Sequence, residues 1–198
     1  MKLTKRIIGI TGGVGCGKSE VLNYLKDTYN AHIILSDQVA KNISKPGGEA
    51  YSKICKAFPD AIIDYEINNQ ILSDIVFRDK EKLKELNEIV HPLTLDTIKK
   101  EIDSSNADIV VVESAIFFES GLDKFVDEVW WVFCDLETRI QRLNVSRGYS
   151  REKSLGIINN QMSDEELNLK TDEYIDNSKN FEKTKEQIDF IISDYCTE

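Results

Sequence analysis

The chain has 198 residues, of which 41% are hydrophobic and 30% are charged, so it is long enough for one substantial core with inserted segments. No apolar run approaches the roughly 18 residues of a membrane span, and the N-terminus lacks a signal-peptide pattern, so we expect a cytoplasmic protein without a membrane partner. The net charge of −10 argues against a nucleic-acid partner, and the four scattered cysteines lack the C-x-x-C spacing of zinc or redox sites.

The first predicted element is a buried strand, RIIGI at residues 6–10, which leads directly into a loop rich in glycine. After the loop, Val21, Leu22 and Leu25 have the spacing of an amphipathic helix. The segment between them fits G-x-x-x-x-G-K-[ST], the phosphate-binding loop. We therefore predict a nucleotide site that contains Gly12, Gly13, Val14, Gly15, Cys16, Gly17, Lys18, Ser19 and Glu20.

Each residue type in this loop has a chemical reason to be there. Glycines let successive backbone N–H groups form a concave anion site, and the positive end of the following helix points to the same place. Lys18 adds a mobile cation for the β- and γ-phosphates, and Ser19 offers a hydroxyl ligand for Mg²⁺. The alternative is a chance glycine-rich turn.

Because a helix N-terminus stabilises a thiolate, we also predict that Cys16 is the most readily alkylated of the four cysteines.

A second strand is predicted over residues 31–37, AHIILSD, and it ends at Asp37. Open parallel sheets bind ligands at the carboxyl ends of their strands, so Asp37 is a candidate catalytic carboxylate. Its alternative role is the N-cap of the next helix, and the spacing alone does not decide between the two. Residues 38–105 then form a mainly helical insertion, in which Pro92 is expected to begin a new helix.

Two further strands are predicted over residues 107–115 and 126–135, and their lack of alternation indicates a sheet covered on both faces. A helix that contains Arg142 follows, then a charged stretch up to residue 170, a short strand and a final amphipathic helix. Because strands alternate with helices, the fold class is α/β, with a parallel sheet in a three-layer P-loop nucleotide-hydrolase or kinase fold. Residues 1–198 then form one domain, in which 38–105 and 143–170 interrupt the alternation.

Several short stretches, in this order and spacing, resemble the dephospho-coenzyme A kinase family over nearly the whole chain. Each stretch alone is a weak signal, whereas together they are specific. They are GITGGVGCGKS, SDQVAK, KPGGEAY, VHPL at 90–93, ESAIFFESG, RIQRL at 139–143, NNQMS at 159–163 and DEYIDNS at 172–178.

The resemblance implies a molecule of three parts and a reaction. A nucleotide-binding core would carry the loop, the helical insertion 38–105 would bind the substrate, and 143–170 would be a lid that closes on the phosphates. The implied reaction transfers the γ-phosphoryl group of ATP to the ribose 3′-hydroxyl of dephospho-CoA, with Mg²⁺ as cofactor. No oligomer is required.

The resemblance also suggests roles for single residues. Asp37 stands at the position of the family's catalytic carboxylate, which would orient the attacking hydroxyl and accept its proton. Arg142 matches an arginine that contacts phosphate, although a surface ion pair on its helix is the alternative. Asn177 lies in a loop where relatives bind adenine.

The chain departs from the family pattern at three positions. The glutamine that the family usually has in Q-x-x-R-L is Arg139 here, a lysine of the family falls on Leu167, and a frequent lid arginine falls on Ser146. Arg147 follows immediately and precedes Gly148, a permissive residue at which the backbone can re-aim a side chain. We predict that Arg147 replaces the missing cation on the ATP phosphates, and the alternative is a solvated surface arginine.

Two other activities share the same loop. A kinase of the nucleoside-monophosphate type would phosphorylate a different small molecule. A switch GTPase would carry an N-K-x-D-like guanine reader, which this sequence lacks. A comparison of ATP binding with GTP binding would separate the GTPase from the kinases.

Overall fold

The structure is a computed structural model, which describes residues 5–195. The described elements, in chain order, are β1 (Arg6–Thr11), α1 (Lys18–Tyr29), β2 (His32–Leu35), α2 (Ser36–Ile43), α3 (Tyr51–Ala57), β3 (Ile62–Ile63), β4 (Glu66–Ile67), α4 (Asn69–Arg78), α5 (Lys80–Ser104), β5 (Ile109–Glu113), β6 (Glu128–Phe133), α6 (Leu136–Arg147), α7 (Arg151–Ile158), α8 (Asp164–Lys170), β7 (Glu173–Asp176) and α9 (Phe181–Asp194). Short 3₁₀ helices lie at Pro59–Ala61 and Leu122–Phe125. No helix of this described part is both long and apolar enough to cross a membrane.

Contacts divide the chain into two compact units. The first comprises the chain up to Ile33 and from Ser105 onward, and the second is Ile34–Ser104. The second unit is thus an insertion in the sequence of the first.

The main sheet has five strands in the order β2-β5-β1-β6-β7, of which β5, β1, β6 and β7 lie wholly in the first unit. Strand β1 pairs in parallel with β5 and β6, and β6 pairs in parallel with β7. Side chains of the central strands are buried on both faces, as Val110, Val111, Trp130 and Val132 show. The parallel α/β architecture with a covered sheet confirms the predicted fold class.

Helices α1 and α9 pack together on one face of this sheet. Val21, Leu22 and Leu25 of α1 join Ile188 and Ile191 of α9 in one apolar cluster with the strands. Polar bonds connect the same two helices, because the hydroxyls of two tyrosines donate to one carboxylate oxygen of Asp189, at 2.7 Å from Tyr24 and 2.6 Å from Tyr29. The helix that follows the glycine loop is therefore held by the last helix of the chain.

The second unit has an apolar core of its own. Ile43, Ile54, Phe58, Ile98 and Ile102, from α2 to α5, are all buried. Most of this unit is helical, in agreement with the pattern of the sequence. It also contains a small antiparallel hairpin of β3 and β4, which the sequence did not predict. Both residues of its turn, Asp64 and Tyr65, have positive φ angles without being glycine, so the usual composition signal of such a turn is missing.

The expectation that Pro92 begins a helix is wrong. Pro92 lies inside the long helix α5. A proline inside a helix removes one N–H donor and disfavours the helical conformation of the residue before it. Here the buried residues Thr94, Ile98 and Ile102 keep the second half of the helix in place by packing, which outweighs the local preference.

Two boundaries also differ from the prediction. The second strand ends at Leu35, so Asp37 does not end the strand but is the second residue of α2. The charged stretch after Leu143 is not one segment, because it contains the end of α6 and the separate helices α7 and α8. Ser150 caps α7 and Ser163 caps α8, because each side chain accepts a hydrogen bond from a backbone N–H group of its helix.

Candidate active site

The glycine loop leaves the carboxyl end of β1, the strand between β5 and β6. Such a strand end in an open parallel sheet is where ligands usually bind. Gly12–Gly17 form the loop, and Lys18, Ser19 and Glu20 form the first turn of α1. Ser19 and Glu20 are exposed, so a hydroxyl and a carboxylate reach solvent there.

The N-terminus of α1 has no side-chain cap. Its N-cap is Gly17, in the left-handed conformation with φ 85°. Side chains cap α4, α6, α7, α8 and α9, whereas α2 and α3 resemble α1 in lacking a side-chain cap but do not follow a loop with the G-x-x-x-x-G-K-[ST] pattern. The first N–H groups of a helix have no acceptor within the helix, and together with the positive end of the helix dipole they attract anions. The start of α1 therefore has the chemistry of a phosphate site.

Lys18 is held beside the loop by two oxygen atoms. Its Nζ donates to the carbonyl oxygen of Gly12 at 2.8 Å and lies 3.6 Å from Oε1 of Glu113, at the end of β5. Both side chains are largely buried, with 14% and 16% of their surface exposed. A flexible ammonium in this position can exchange a carbonyl for a phosphate oxygen without leaving the loop.

Arg142 also reaches the loop. Its Nη1 lies 3.4 Å from the carbonyl oxygen of Cys16 and 3.5 Å from Sγ of Cys134. No carboxylate of the described residues lies within ion-pair distance of it, so the alternative of a surface ion pair does not hold. The structure thus brings Arg142 to the predicted site.

Asn177 holds the loop through a buried side chain. Its side chain is fully buried, its Nδ2 donates to the carbonyl oxygen of Cys16 at 2.8 Å, and its Oδ1 accepts from Oγ1 of Thr184 at 2.9 Å. Both ends of the amide are therefore bonded to protein. The side chain positions the loop and is not presented to a nucleotide base.

The position of Cys16 argues against its predicted reactivity. The residue is only 2% exposed and belongs to the apolar cluster beneath the loop. Burial raises the pKa of its thiol, and the opposing effects of Arg139 and Lys18 are smaller. The residue type and the helix end suggested a thiolate, whereas the direction of the side chain, into the core, was not visible in the sequence.

Two residues hold the loop that the sequence did not identify as part of the site. Arg139 is 6% exposed, and its Nε donates to the carbonyl oxygen of Val14 at 3.2 Å. Gln161, in the connection between α7 and α8, accepts from the N–H of Val14 at 2.9 Å and from Nη2 of Arg139 at 3.0 Å. The two contacts with Val14 join residues more than 100 positions apart, which no local pattern can reveal.

Two predicted site residues, Asp37 and Arg147, belong to segments of the chain other than the loop and α1. Asp37 is exposed in the first turn of α2, within the second unit, and the N-cap of that helix is Leu35, without any side-chain cap. The alternative role of Asp37 as N-cap is therefore wrong. Arg147 is exposed at the last position of α6, where its guanidinium lies 5.9 Å from the ring centre of Tyr149.

Metal ligands are few. In the part of the chain that the structure describes, no group of three or more His, Cys, Asp or Glu side chains could hold a metal ion. The exposed hydroxyl of Ser19 at the start of α1 is an oxygen donor of the kind that Mg²⁺ prefers. Mg²⁺ commonly takes one or two protein ligands and completes its shell with phosphate and water, and this sparse donor set fits that habit.

Comparison with known proteins gives a consistent result. A family model described as dephospho-CoA kinase matches residues 6–183. The dephospho-CoA kinase of Carboxydothermus hydrogenoformans is 40% identical over 187 residues, which cover 92% of this chain and 90% of that protein. The enzyme of the same name from Oceanobacillus iheyensis is 36% identical over 191 residues, which cover 94% and 96%.

Solved structures show the same fold. A crystal structure from Thermus thermophilus superposes with a TM-score of 0.84 at 27% identity, and the match covers 96% of this chain and 98% of the other. A dephospho-CoA kinase from Campylobacter jejuni gives a TM-score of 0.71 at 24% identity, with 96% of each chain covered. A shikimate kinase from Acinetobacter baumannii, at a TM-score of 0.57 and 14% identity over 97% and 96% of the chains, shares the fold alone.

Proposed function

Because this chain belongs to the dephospho-CoA kinase family, we propose how its own residues divide the work of that kinase reaction. The reaction transfers the γ-phosphoryl group of ATP to the ribose 3′-hydroxyl of dephospho-CoA, in the last step of coenzyme A synthesis. The observation that carries the assignment is the uncapped start of α1 behind the glycine loop, with Lys18 and Arg142 against the loop.

The loop and its two cations bind the triphosphate. Backbone N–H groups at the start of α1 donate to phosphate oxygens, and Lys18 exchanges the carbonyl of Gly12 for the transferring group. Arg142, next to the carbonyl of Cys16, neutralises charge that spreads over the phosphoryl oxygens in the transition state. Because these groups are held before ATP arrives, little reorganisation is needed during the reaction.

Mg²⁺ accompanies the ATP. Ser19 would supply a protein oxygen for it, and the ion would take its other ligands from phosphate and water. When bound, the ion neutralises negative charge on the triphosphate. Glu113, 3.6 Å from Lys18, keeps the lysine ammonium on the side of the loop next to β5.

The second unit and the α6–α8 region supply the other two functions. We propose that residues 38–105, which lie within the unit Ile34–Ser104, bind dephospho-CoA. Asp37, an exposed carboxylate, orients the attacking hydroxyl and accepts its proton. Residues 143–170 act as the lid, and Arg147 reaches the ATP phosphates when the lid closes.

The test is formation of CoA, detected by mass, from ATP, Mg²⁺ and dephospho-CoA. In Asp37→Asn we expect kcat to fall by about 10²-fold or more, because a general base is lost, while ATP binding is retained because the loop is unchanged. Asp123→Asn is the matched control, since Asp123 is also an exposed first-turn carboxylate but lies outside the loop, the substrate segment and the lid, and its kcat should equal that of the wild type.

Two outcomes would contradict these assignments. Equal losses of ATP affinity and turnover in Asp37→Asn would show that Asp37 has a structural role. Phosphorylation of AMP with no formation of CoA would favour a kinase of the nucleoside-monophosphate type.

A further inference from the structure

Val14 is the one residue of the loop whose two backbone groups are both held by side chains. Its N–H donates to Oε1 of Gln161 at 2.9 Å, and its carbonyl accepts from Nε of Arg139 at 3.2 Å. The two side chains are also bonded to each other, since Nη2 of Arg139 donates to the same Oε1 at 3.0 Å. The three residues thus form a closed ring of hydrogen bonds, which we call the Val14 clamp.

The clamp acts on a turn that can adopt two forms. The N–H of Cys16 donates to the carbonyl of Gly13 at 3.3 Å, which closes a four-residue turn with Val14 and Gly15 at its centre. Gly15 has φ 82° and Val14 does not have a positive φ, which is the pattern of a type II turn. Types I and II differ mainly in the direction of the central peptide, and glycine at the third position permits both.

The carbonyl of Val14 and the N–H of Gly15 belong to this central peptide. In a trans peptide these two groups point in opposite directions. Arg139 holds the carbonyl toward α6, so the N–H of Gly15 points away from α6. In the described part of the chain this N–H has no acceptor.

We propose that Arg139 is a positioning residue for ATP binding, which together with Gln161 fixes the Val14–Gly15 peptide with its N–H directed at the triphosphate. This inference rests on the proposed function of the loop as the ATP site. Without the clamp, the peptide samples both directions, and ATP must select one of them when it binds.

The burial of Arg139 supports the proposal. The side chain is 6% exposed, and no carboxylate of the described residues lies within ion-pair distance of its guanidinium. It packs so closely on the loop that a side chain added to Gly13 would come within 2.1 Å of Nη2. The carboxylate of Asp164 interacts with this charge without forming an ion pair, since Arg139 opposes the rise of the Asp164 pKa that burial causes. A buried charge is costly unless it is paired, so we expect a triphosphate at the loop to supply further negative charge for Arg139.

The test uses Arg139→Met, Gln161→Met and the double variant, since methionine keeps most of the volume and removes the polar groups. In Arg139→Met we expect the KM for ATP to rise about tenfold or more, the size expected for a hydrogen bond to a charged group. The value of kcat should change much less, because the peptide binds ATP in the ground state and the transition state alike. The KM for dephospho-CoA should be unchanged.

The double variant should lose less ATP affinity than the product of the two single losses, because each single change already opens the clamp. Arg139→Lys should recover only part of the loss, since lysine lacks the planar fork that reaches two acceptors. Lys183→Met is the control, because Lys183 is an exposed cation of α9 whose partner is Glu186 and which lies outside the loop, the substrate segment and the lid, so its KM for ATP should be that of the wild type.

A second measurement does not depend on activity. In ligand-free protein, the NMR resonance of the Gly15 amide should shift in Arg139→Met and in Gln161→Met, while the amides of α9 stay in place. Unchanged KM for ATP and an unchanged Gly15 resonance in folded Arg139→Met would overturn the proposal, as would independent effects in the double variant. A wild-type protein that makes no CoA would instead overturn the proposed function.

Discussion

Single side chains around the phosphate loop hold its backbone carbonyls. Lys18, Arg139 and Asn177 donate to the carbonyls of Gly12, Val14 and Cys16 in turn. The next residues along the chain are Gly13, Gly15 and Gly17, whose N–H groups therefore point the other way. From Gly13 on, every second residue of the loop is thus a glycine, and each of these glycines follows a residue whose carbonyl is held by a side chain and points away from the glycine N–H.

The thiols give a prediction at this scale. Cys16 and Cys134 are buried, and burial raises the pKa of Cys134 to about 11, whereas Cys55 is partly exposed. A raised pKa means less thiolate at a given pH, so at pH 8 we expect iodoacetamide to modify Cys55 faster than Cys16 or Cys134. Peptide mapping by mass spectrometry measures the three rates, and faster alkylation of Cys16 would contradict the buried position. Cys196 lies outside the described residues.

At the scale of elements, α6 places both arginines of the site. Its start is fixed by Asp135, whose side chain accepts from the backbone N–H and the hydroxyl of Thr138. Its end is fixed by Gly148, in the left-handed conformation, whose N–H donates to the carbonyl of Asn144 at 2.8 Å. Arg139 and Arg142 lie between these ends, so the positions of their guanidinium groups at the loop depend on the stability of this helix.

The cap at Asp135 has a measurable effect on stability. Asp135→Ala should lower the free energy of unfolding by about 1 kcal/mol, a typical value for the loss of a cap, and denaturant titration measures it. The hydrogen bonds from the Thr138 backbone and side chain lower the pKa of Asp135. Its contribution is therefore present at neutral pH and is lost in acid, as the pH falls through the lowered pKa of the folded state.

Asp135→Asn separates the cap from the charge. Asparagine caps helices as well as aspartate does but does not titrate. This variant should retain most of the stability at neutral pH and lose the part of the acid dependence that Asp135 causes. A loss as large as that of the alanine variant would contradict the capping role.

The elements that the sequence predicted correctly are those whose signals are local. The buried strands β5 and β6 are continuous apolar runs, and the start of α1 follows from the fixed spacing of the loop. The hairpin at Asp64 was missed because its turn residues are not those that usually adopt positive φ. At the site, Lys18 and Ser19 were predictable from the motif, whereas Arg139 was not, since its partners are Val14 and Gln161, far from it in the chain.

At the scale of the whole molecule, a net charge of −10 must accommodate a polyanion. Long-range attraction cannot help ATP to bind, so the affinity must come from fixed local groups, namely the N-terminus of α1 with Lys18 and Arg142. These groups belong to the first unit. ATP should therefore stabilise that unit directly.

The stabilisation can be measured as a shift of the thermal midpoint. A ligand at 100 times its Kd adds about 2.7 kcal/mol, which for a chain of this size corresponds to about 5–10 °C. We expect this shift with ATP in the wild type and a much smaller one in Lys18→Met, each measured from the midpoint of the same protein without ATP. An equal shift in both proteins would show that Lys18 does not contact the nucleotide.

The strand order also determines when each part of the chain can fold during synthesis on the ribosome. Strand β1 is made first, yet its described partners are β5 and β6, and Arg6 must wait for Ile109. At about 5–20 residues per second this delay is on the order of ten seconds. During that time the whole second unit, Ile34–Ser104, is synthesised and can form its own core. Helix α1 waits longer still, because Asp189, which bonds its two tyrosines, is among the last residues to be added.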